Sequence, residues 1–388
     1  MGGGLMQLVA YGAQDIYLTG NPQITFFKVV YRRHTNFSME AIEQTWNGTS
    51  TGSAATTGGR CTATISRNGD LVHRMYIEIV AAAGSTTFAN ANPMAECITD
   101  VELEIGGQKI DKHTGQWLET WAELTEPNPT GTVMDKSDST KCTLFQKMSG
   151  MGGADDGQDV VVAGNYFIPL QFWFCRNPGL ALPLIALQYH EVKVILNHKF
   201  GTDATTNTLV CDYIYLDTDE RRRFAQVSHE YLIEQVQEQS GAAQASNDLN
   251  FNHPVKELVW TGAWSGGANT ATPADVTNWQ LKLNGHDRFA ARDFRYFTRT
   301  QVWEHHSGAG GLNATSNTGA GSFNDSIAVY SFALKPEEHQ PSGTCNFSRI
   351  DNAQLVSTGG TPAALSIFAV NYNVLRIMSG MGGLAYSN

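Results

Sequence analysis

Short runs of alternating apolar and polar residues recur along the chain, and this two-residue period constrains the fold more than any other feature. Examples are DVELEI at 100–105, EVKVIL at 191–196 and IAVYSFAL at 327–334. Successive side chains of a strand point to opposite faces, so such runs are typical of strands with one buried face. Stretches rich in Gly, Asn, Thr and Ser separate them. The pattern predicts antiparallel sandwiches or barrels rather than βαβ units.

Three of these segments recur in the same order in the second half of the chain. The pairs are AIEQ (41–44) with LIEQ (232–235), ELEIGGQ (102–108) with QLKLNGH (280–286), and YFIPL (166–170) with YSFAL (330–334). The spacing between partners falls from 191 to 178 to 164 residues, as expected if the second copy has shorter loops. The sequence therefore predicts an internal duplication. The length of 388 residues also suits two domains.

About eight strands are predicted in the first copy, near 38–47, 60–67, 72–81, 98–105, 108–110, 166–174, 186–197 and 209–216. Eight antiparallel strands in two packed sheets form a jelly roll. Helical patterns occur at 114–125 and 288–300. We expect an all-β fold with two tandem eight-stranded antiparallel jelly rolls and short helices in the connecting loops. The predicted division is an arm at 1–25, a first jelly roll at 26–216, a linker at 217–226 and a second jelly roll at 227–388.

Long polar connections and tight turns are expected at opposite ends of each sandwich. In jelly-roll topology the long connections meet at one end; they are 82–97, 126–165, 264–275 and 303–325. At the other end, GGQ at 106–108 and NGH at 284–286 are predicted to be tight turns in which glycine takes a positive φ. We expect the four long connections to form an exterior surface.

Composition restricts the partners and the compartment. Charged residues make up only 16% of the chain and the formal net charge is −11, which argues against general binding to nucleic acid or anionic membranes. The most apolar stretch, 167–187, is interrupted by Arg176, Pro178 and Pro183, so no membrane insertion is expected. The six cysteines are scattered without a CxxC pair, which is typical of reduced thiols, and no secretory signal is expected because Lys28 is the first basic residue.

Motifs with possible chemistry are few, and each has a structural interpretation. GTSTG at 48–52 lacks the strand–helix context of a nucleophile elbow. His305 and His306 are interpreted as exposed loop residues rather than metal ligands, and MSGMGG, at 148–153 and 378–383, as a loop that shapes the backbone. We therefore predict no catalytic residue, no cofactor, no metal site and no enzyme activity.

Basic clusters and glycosylation motifs are weak signals. YRRH at 31–34 and ERRR at 220–223 are expected to pair with carboxylates rather than to bind nucleic acid directly. The Asn-x-Ser/Thr motifs lie at Asn36, Asn47, Asn313, Asn324 and Asn346. Asn313 and Asn324 fall in the connection 303–325 and are the candidate glycosylation sites, which would lie on the exterior surface if they are modified.

Several long segments carry a resemblance to a known family. They are 5–40 (LMQLVAYGAQD…RRHTNFSME), 172–196 (FWFCRNPGLALPLIALQYHEVKVIL), 252–260, 281–289, 330–351 and 370–388. Together they resemble the major capsid proteins of nucleo-cytoplasmic large DNA viruses, the algal-virus, iridovirus and mimivirus-like group. The resemblance spans nearly the whole chain.

The resemblance implies a double jelly roll and a homotrimer that tiles an icosahedral shell around an internal membrane and double-stranded DNA. Its implied partners are neighbouring capsomers and minor capsid and penton proteins, and its implied location is the virion after synthesis in the host cytoplasm. The alternative function is a carbohydrate-binding jelly-roll module, for which Trp264 and Trp279 are candidate exposed aromatics. Host-surface glycans are a possible partner under both interpretations.

Overall fold

The computed structural model describes residues 3–10, 12–51, 58–81, 90–134, 142–154, 164–201, 204–312 and 323–386. It divides into two units, Met1–Asn36 and Phe37–Asn388. The first unit contains helices α1 (Gly3–Val9) and α2 (Ile16–Thr19). Among its described residues, every side chain is exposed except that of Asp15, which is half-buried.

The first jelly roll begins the second unit. Its strands are β1 (Phe37–Gln44), β2 (Trp46–Gly48), β3 (Gly59–Thr64), β4 (Leu71–Ala81), β5 (Ile98–Ile105), β6 (Gln108–Thr114), β7 (Gly164–Pro169), β8 (Leu182–Pro183), β9 (Val192–His198) and β10 (Ala204–Leu216). Its helices are α3 (Pro93–Cys97), α4 (Gly115–Thr125), α5 (Leu144–Ser149), α6 (Trp173–Arg176) and a 3₁₀ turn, Pro178–Leu180. One sheet has the order β1-β10-β4-β7, with β8 beside β4, and the other has the order β2-β3-β9-β5-β6.

Helix α7 (Thr218–Gln226) leads into the second jelly roll. The strands there are β11 (His229–Gly241), β12 (Ser246–Asp248), β13 (Pro254–Gly262), β14 (Trp264–Ser265), β15 (Ala268–Asn269), β16 (Asn278–Leu283), β17 (His286–Asp287), β18 (Arg292–Asp293), β19 (Ile327–Ser331), β20 (Cys345–Asn346), β21 (Ala353–Thr358), β22 (Leu365–Met378) and β23 (Met381–Leu384). The helical segments are the 3₁₀ turns Thr272–Ala274 and Phe347–Arg349, a π-helical turn Tyr296–Thr300, and α8 (Gln301–His305).

The second jelly roll repeats the topology of the first. Its sheets have the orders β11-β22-β13-β19 and β12-β21-β16-β17, so the first strand again pairs with the last long strand. The repeated sequence segments occupy matching places: Tyr166 lies opposite Ile79 on β4, and Tyr330 lies opposite Leu258 on β13. The predicted duplication and the double jelly roll are confirmed.

Alternating burial explains why these segments form strands around a core. On β4, Met75, Ile77 and Ile79 are almost fully buried, while Tyr76 and Glu78 between them are half-buried. Strand β13 differs, because every residue from Val255 to Gly262 is buried. A strand covered on both faces loses the simple alternation. Something other than the core of its own sandwich must therefore cover the outward face of β13.

The two predicted tight turns are confirmed. Gly106 and Gly107 have φ angles of 58° and 83°, and Asn284 and Gly285 have φ angles of 50° and 78°. Two consecutive left-handed residues are the geometry of a type I′ hairpin turn, whose twist matches that of the flanking strands. The turns join β5 to β6 and β16 to β17.

Three local predictions differ from the structure, and the first is the strand expected at 186–197, which begins only at Val192. The helix expected at 114–125 is confirmed as α4, but the one expected at 288–300 is displaced towards the C-terminus. Residues 292–293 pair with β16 as a strand, and helical residues run only from Phe294 to His305. The strand expected at 166–174 ends at Pro169, because residues 173–176 turn inward as helix α6.

The predicted division of the chain remains a prediction. Residues 26–36, which it assigns to the first jelly roll, belong here to the same unit as the arm. The predicted linker coincides with α7, whose first turn is capped by the Asp217 side chain. Arg221 on this helix pairs with Asp70 at 2.9 Å, as expected for the ERRR cluster.

We predict that Gly107→Ala destabilises the protein by about 1–2 kcal/mol, and Gly285→Ala by a similar amount. A Cβ at either glycine meets no atom within 4 Å, so the cost arises from the left-handed backbone alone. Urea unfolding measures the loss. Gly107→Asn is the matched control, because Asn tolerates this conformation, and it should cost less. Equal costs for Ala and Asn would contradict the explanation.

Candidate functional site

Helix α4 joins the two jelly rolls and is the centre of the candidate assembly site. It starts where β6 ends, with the Thr114 hydroxyl accepting a hydrogen bond from the Trp117 backbone N–H at 3.3 Å. All residues from Gly115 to Leu124 are buried. Leu118 packs into the core of the first jelly roll, but Trp117, Trp121 and Leu124 pack against the second. This cluster contains Trp117, Trp121, Leu124, Val259, Val302, Ile327, Val329, Phe368 and Val370.

The buried side chain of Gln116 fixes the position of α4 on the second jelly roll. Its amide nitrogen donates to Thr261 Oγ1 at 3.0 Å and to Asn269 Oδ1 at 2.9 Å. Its amide oxygen accepts from the Ser366 hydroxyl at 2.8 Å. Buried amides are tolerated when both ends have partners, and these partners allow only one register of the helix.

A second link between the jelly rolls is ionic. Glu234 on β11 contacts Arg176 on α6 at 2.5 Å, Lys256 on β13 at 3.0 Å and His339 at 3.2 Å. Burial by itself would raise the pKa of Glu234, but these partners outweigh it and lower the pKa to about 2. Burial lowers the pKa of Lys256, whose side chain is fully buried. Glu234 of the second jelly roll thus forms an ion pair with Arg176 of the first.

The interpretation of His306 as an exposed loop residue is wrong. Its side chain is fully buried at the end of α8, with Nε2 3.0 Å from Glu257 and Nδ1 3.2 Å from Glu337. Burial lowers the pKa of His306, but the two carboxylates outweigh burial and raise it to about 9. The imidazole is therefore protonated at neutral pH. His305 is the last residue of α8 and is half-buried.

The first MSGMGG segment binds a carboxylate of the chain itself. The backbone N–H groups of Gly152 and Gly153 donate to Glu119 at 2.8–3.0 Å. Glu119 and Glu123 lie one turn apart on α4 and are both fully buried; burial raises the pKa of Glu119 to about 7. Burial and the charge of Glu119 also raise the pKa of Glu123. The two carboxyls therefore share a proton near neutral pH.

The second MSGMGG segment forms another contact between the jelly rolls. It makes the turn from β22 to β23, where Ser379 and Gly380 have positive φ. The Tyr189 backbone N–H donates to the Gly380 carbonyl at 2.9 Å, and His190 Nδ1 lies 2.8 Å from the Gly382 carbonyl oxygen. Both copies shape the backbone, as predicted, but they do so at different sites.

The four long connections meet in the structure. One buried apolar residue of each forms a common cluster: Ala91, Val133, Ala268 and Leu312. Asn92 adds polar links, accepting from the Ala154 N–H at 2.7 Å and donating to the Gly267 carbonyl at 3.0 Å. This agrees with the prediction that the connections lie at one end of the paired sandwiches.

The remaining candidate residues differ in their exposure. Asn324 is half-buried and its backbone N–H donates to the Gly311 carbonyl at 2.8 Å, whereas Asn313 lies outside the described residues. Trp279, expected to be an exposed aromatic, is fully buried and donates to the Pro273 carbonyl at 3.0 Å. Trp264 is half-buried. Among the described residues, neither a cluster of metal-binding side chains nor a helix long and apolar enough to cross a membrane is found.

The sequence interpretation missed the polar residues of the junction. Three polar residues of α4 stand three and four positions apart: Gln116, Glu119 and Glu123. Residues at these spacings are neighbours on one side of a helix, and this helix also carries two tryptophans. Lys256 and Glu257 interrupt the apolar strand PVKELVW. Charged residues inside an apolar run are a usable signal of buried ion pairs, although the sequence does not show which residues are their partners.

The comparisons with known proteins give one consistent result. Residues 25–219 match the family described as "Major capsid protein N-terminus", and residues 220–383 match "Large eukaryotic DNA virus major capsid protein". The major capsid protein of Pyramimonas orientalis virus is 52% identical to the chain, and that of Paramecium bursaria Chlorella virus 1 is 42% identical, each over 100% of both chains. The chain belongs to the major capsid proteins of large eukaryotic DNA viruses.

Solved structures agree with this membership. A chain of the quasi-atomic PBCV-1 capsid model is similar with a TM-score of 0.75 and 37% identity, over 94% of this chain and 100% of that one. The Faustovirus major capsid protein has the same fold, with a TM-score of 0.62 at 14% identity, over 95% of this chain and 94% of that one. As a major capsid protein, the chain is a structural component of the virion capsid. The alternative of a carbohydrate-binding module is not supported.

We predict that His306 makes stability fall as the pH rises. A folded-state pKa of about 9, above the ordinary value of 6.5, contributes stability that is complete below pH 6.5 and lost as the pH rises through 9. Between pH 6.5 and 10 the wild type should lose roughly 3 kcal/mol more than His306→Gln. Urea unfolding at several pH values measures this, and parallel curves for the two proteins would refute the assignment.

We predict that Glu123→Gln reduces the stability loss between pH 5 and 8. The raised pKa of about 7 at Glu119 means that the stability contribution of the buried pair is complete below pH 4.5 and lost as the pH rises through 7. Burial keeps Glu123 protonated in the folded protein at a pH where the unfolded chain ionises it, and a neutral amide has no such proton to lose, so the variant should gain roughly 1–3 kcal/mol relative to wild type at pH 8. Thermal unfolding tests this, with Glu104→Gln on β5 as a control that should change little.

Proposed function

We propose that three copies of this chain form one capsomer with a pseudo-hexagonal outline. The observation that carries the proposal is the pair of jelly rolls with the same topology, held in one body by α4. Three chains with two similar sandwiches each present six similar corners, a shape that tiles a hexagonal sheet. Interfaces of such permanent assemblies are large and apolar, which agrees with the 16% of charged residues.

We infer that the capsomers pack side by side into an icosahedral shell, together with minor capsid and penton proteins. Residues 1–25 would act as an arm on the inner side of the shell, separate from the jelly rolls at 26–216 and 227–388 and the linker at 217–226. The arm suits this role because large apolar side chains on it are exposed, including Leu8 (79%) and Tyr17 (94%). Such side chains are usually covered by a partner in an assembly.

The role we propose is structural, without catalysis, a cofactor or direct contact with nucleic acid. The titratable groups buried at the junction are engaged with one another, as for Glu234 with Arg176 and His306 with Glu257. Structural ion-pair networks of this kind shift pKa values without any part in a reaction. Synthesis in the host cytoplasm is part of the same proposal.

The end where the four long connections meet is proposed to face outward. Loops rich in Gly, Asn, Thr and Ser tolerate changes of length and modification, as an exterior surface requires. Glycosylation of Asn313 and Asn324, and contact with host-surface glycans, are proposed for this end only.

We predict a solution mass of about 127 kDa, three times the 42.3 kDa of one chain. Sedimentation equilibrium at micromolar concentrations measures this mass. Class averages of negatively stained protein should then show a hexagonal outline. A stable monomer or dimer across this concentration range would overturn the proposal.

We predict that a protease of broad specificity cuts intact particles within 303–325 before it cuts within 1–25. Broad specificity is needed because 303–325 contains neither Lys nor Arg. Mass spectrometry of the first fragments identifies the site. Early cleavage within 1–25, with 303–325 intact, would reverse the proposed orientation.

A further inference from the structure

We propose that residues 292–305 of one copy bind the outward face of the β1-β10-β4-β7 sheet of a second copy. Residues 292–305 are called the docking segment, and the sheet face that they bind is called the first-roll face. This inference rests on the proposed trimer and names the contact that closes it. Trp303 of the docking segment is the central side chain of the contact.

The contact inside the chain provides the precedent. Helix α4 follows β6 in the first jelly roll and covers the outward face of the equivalent sheet in the second, at Val259, Phe368 and Val370. The docking segment follows β17, which is the counterpart of β6. In the second jelly roll the covered sheet is β11-β22-β13-β19. Because the two topologies match, its counterpart in the first jelly roll is β1-β10-β4-β7, whose outward face is the first-roll face. A repeated contact of this kind, made from each chain to the next, closes a ring of three chains.

The docking segment has one buried side and one exposed side. Phe297 and Val302 are buried against the second jelly roll, at 0% and 3% exposure. Arg295, Arg299 and Trp303 recur every four residues along the helical turns and are exposed, so they share a face. Trp303 is 82% exposed. Trp and Arg are the residues that most often dominate binding energy at protein interfaces.

The first-roll face offers an aromatic centre within a ring of carboxylates. Tyr76 and Phe167 pack edge to face with ring centroids 5.9 Å apart, and both are half-buried. Glu78 follows on the same face of β4. Tyr76 lies opposite Val210, which in turn lies opposite Glu43. Burial raises the pKa of Tyr76, and the negative charges of Asp212, Glu78 and Glu43 raise it further.

The two surfaces are complementary in charge. The outward positions of the first-roll face carry three carboxylates, Glu43, Glu78 and Asp212, and one cation, Arg74, so its net charge is negative. The docking segment presents the guanidinium groups of Arg292, Arg295 and Arg299 beside Trp303. Within its own chain, Arg299 contacts Asp325 at 2.6 Å and Arg295 contacts Asp293 at 3.4 Å, so two of the three arginines are partly neutralised. Opposite charges around an apolar centre favour correct docking and orientation.

A hollow beside the first-roll face can receive the indole. It measures about 610 Å³, and its wall includes Tyr76, Phe167, Pro169, Leu170 and Met148. This volume is within the range of pockets that enclose small organic molecules. Arg74 lies at the same hollow, where a guanidinium can stack on an indole ring.

Photo-cross-linking tests the contact directly. Full-length protein carrying p-benzoylphenylalanine at position 303 is irradiated as the assembled oligomer, and the cross-linked peptides are identified by mass spectrometry. We expect intermolecular products with peptides covering 74–80, 165–169 or 206–212. Cross-links to residues 1–36, cross-links to the second jelly roll, or none in a trimer would overturn the inference.

Substitutions provide a second, independent test by solution mass. Trp303→Ala should raise the dissociation constant of the trimer at least tenfold, whereas Trp303→Phe should retain most binding. Tyr189→Ala, at an aromatic residue that is 75% exposed elsewhere on the first jelly roll, is the matched control and should leave the trimer unchanged. Circular dichroism confirms that each variant is folded. An unchanged trimer for Trp303→Ala would contradict the proposal.

Charge reversal separates a specific contact from general damage. Glu78→Arg should weaken the trimer, and combining it with Arg295→Glu should restore part of the loss. Absence of rescue, or a Glu78→Arg trimer as stable as wild type, would count against the proposed pairing. A wild-type chain that stays monomeric would refute the trimer itself, whereas a trimer with cross-links elsewhere would refute only this contact.

Discussion

The burial of one helix of the first sandwich against the second determines how this molecule is built. A β-sandwich covers its two inner faces by itself, but its outward faces need water or a partner. Here α4 covers the outward face of β13 and β22, with Trp117 and Trp121 as the largest contributors. This contact converts two sandwiches into one body with a fixed relative orientation. A capsomer that must fit its neighbours on all sides depends on that fixed orientation.

Polar contacts within the junction give it a single register. Removing charges from water is costly, and an ion pair recovers that cost only when the geometry is good. The junction contains Glu234 with Arg176 and Lys256, and His306 with Glu257. Apolar side chains alone would tolerate small shifts of one sandwich against the other. The Glu234–Arg176 pair and Gln116 cross from one jelly roll to the other, so we infer that they specify the orientation that apolar burial stabilises.

The sequence predicts most of the fold because its signals are local. Strand alternation, the glycine turn at Gly107 and the helix at 114–125 each depend on neighbouring residues. The junction depends on residues far apart in the chain, and there the predictions were wrong. His306 was expected to be exposed, but its carboxylate partners are Glu257 and Glu337. Away from the junction, Trp279 was also expected to be exposed, but it fills the core of the second jelly roll, where its packing partners are again distant in sequence.

Hydrogen exchange of the full-length protein, followed by mass spectrometry, tests most directly whether α4 unites the two jelly rolls. If it does, the amides of α4 exchange only on global unfolding, at the same slow rate as those of β4 in the first jelly roll and β13 in the second. The account predicts one slow class that contains all three elements. Faster exchange of α4, or separate slow classes for the two jelly rolls, would contradict it.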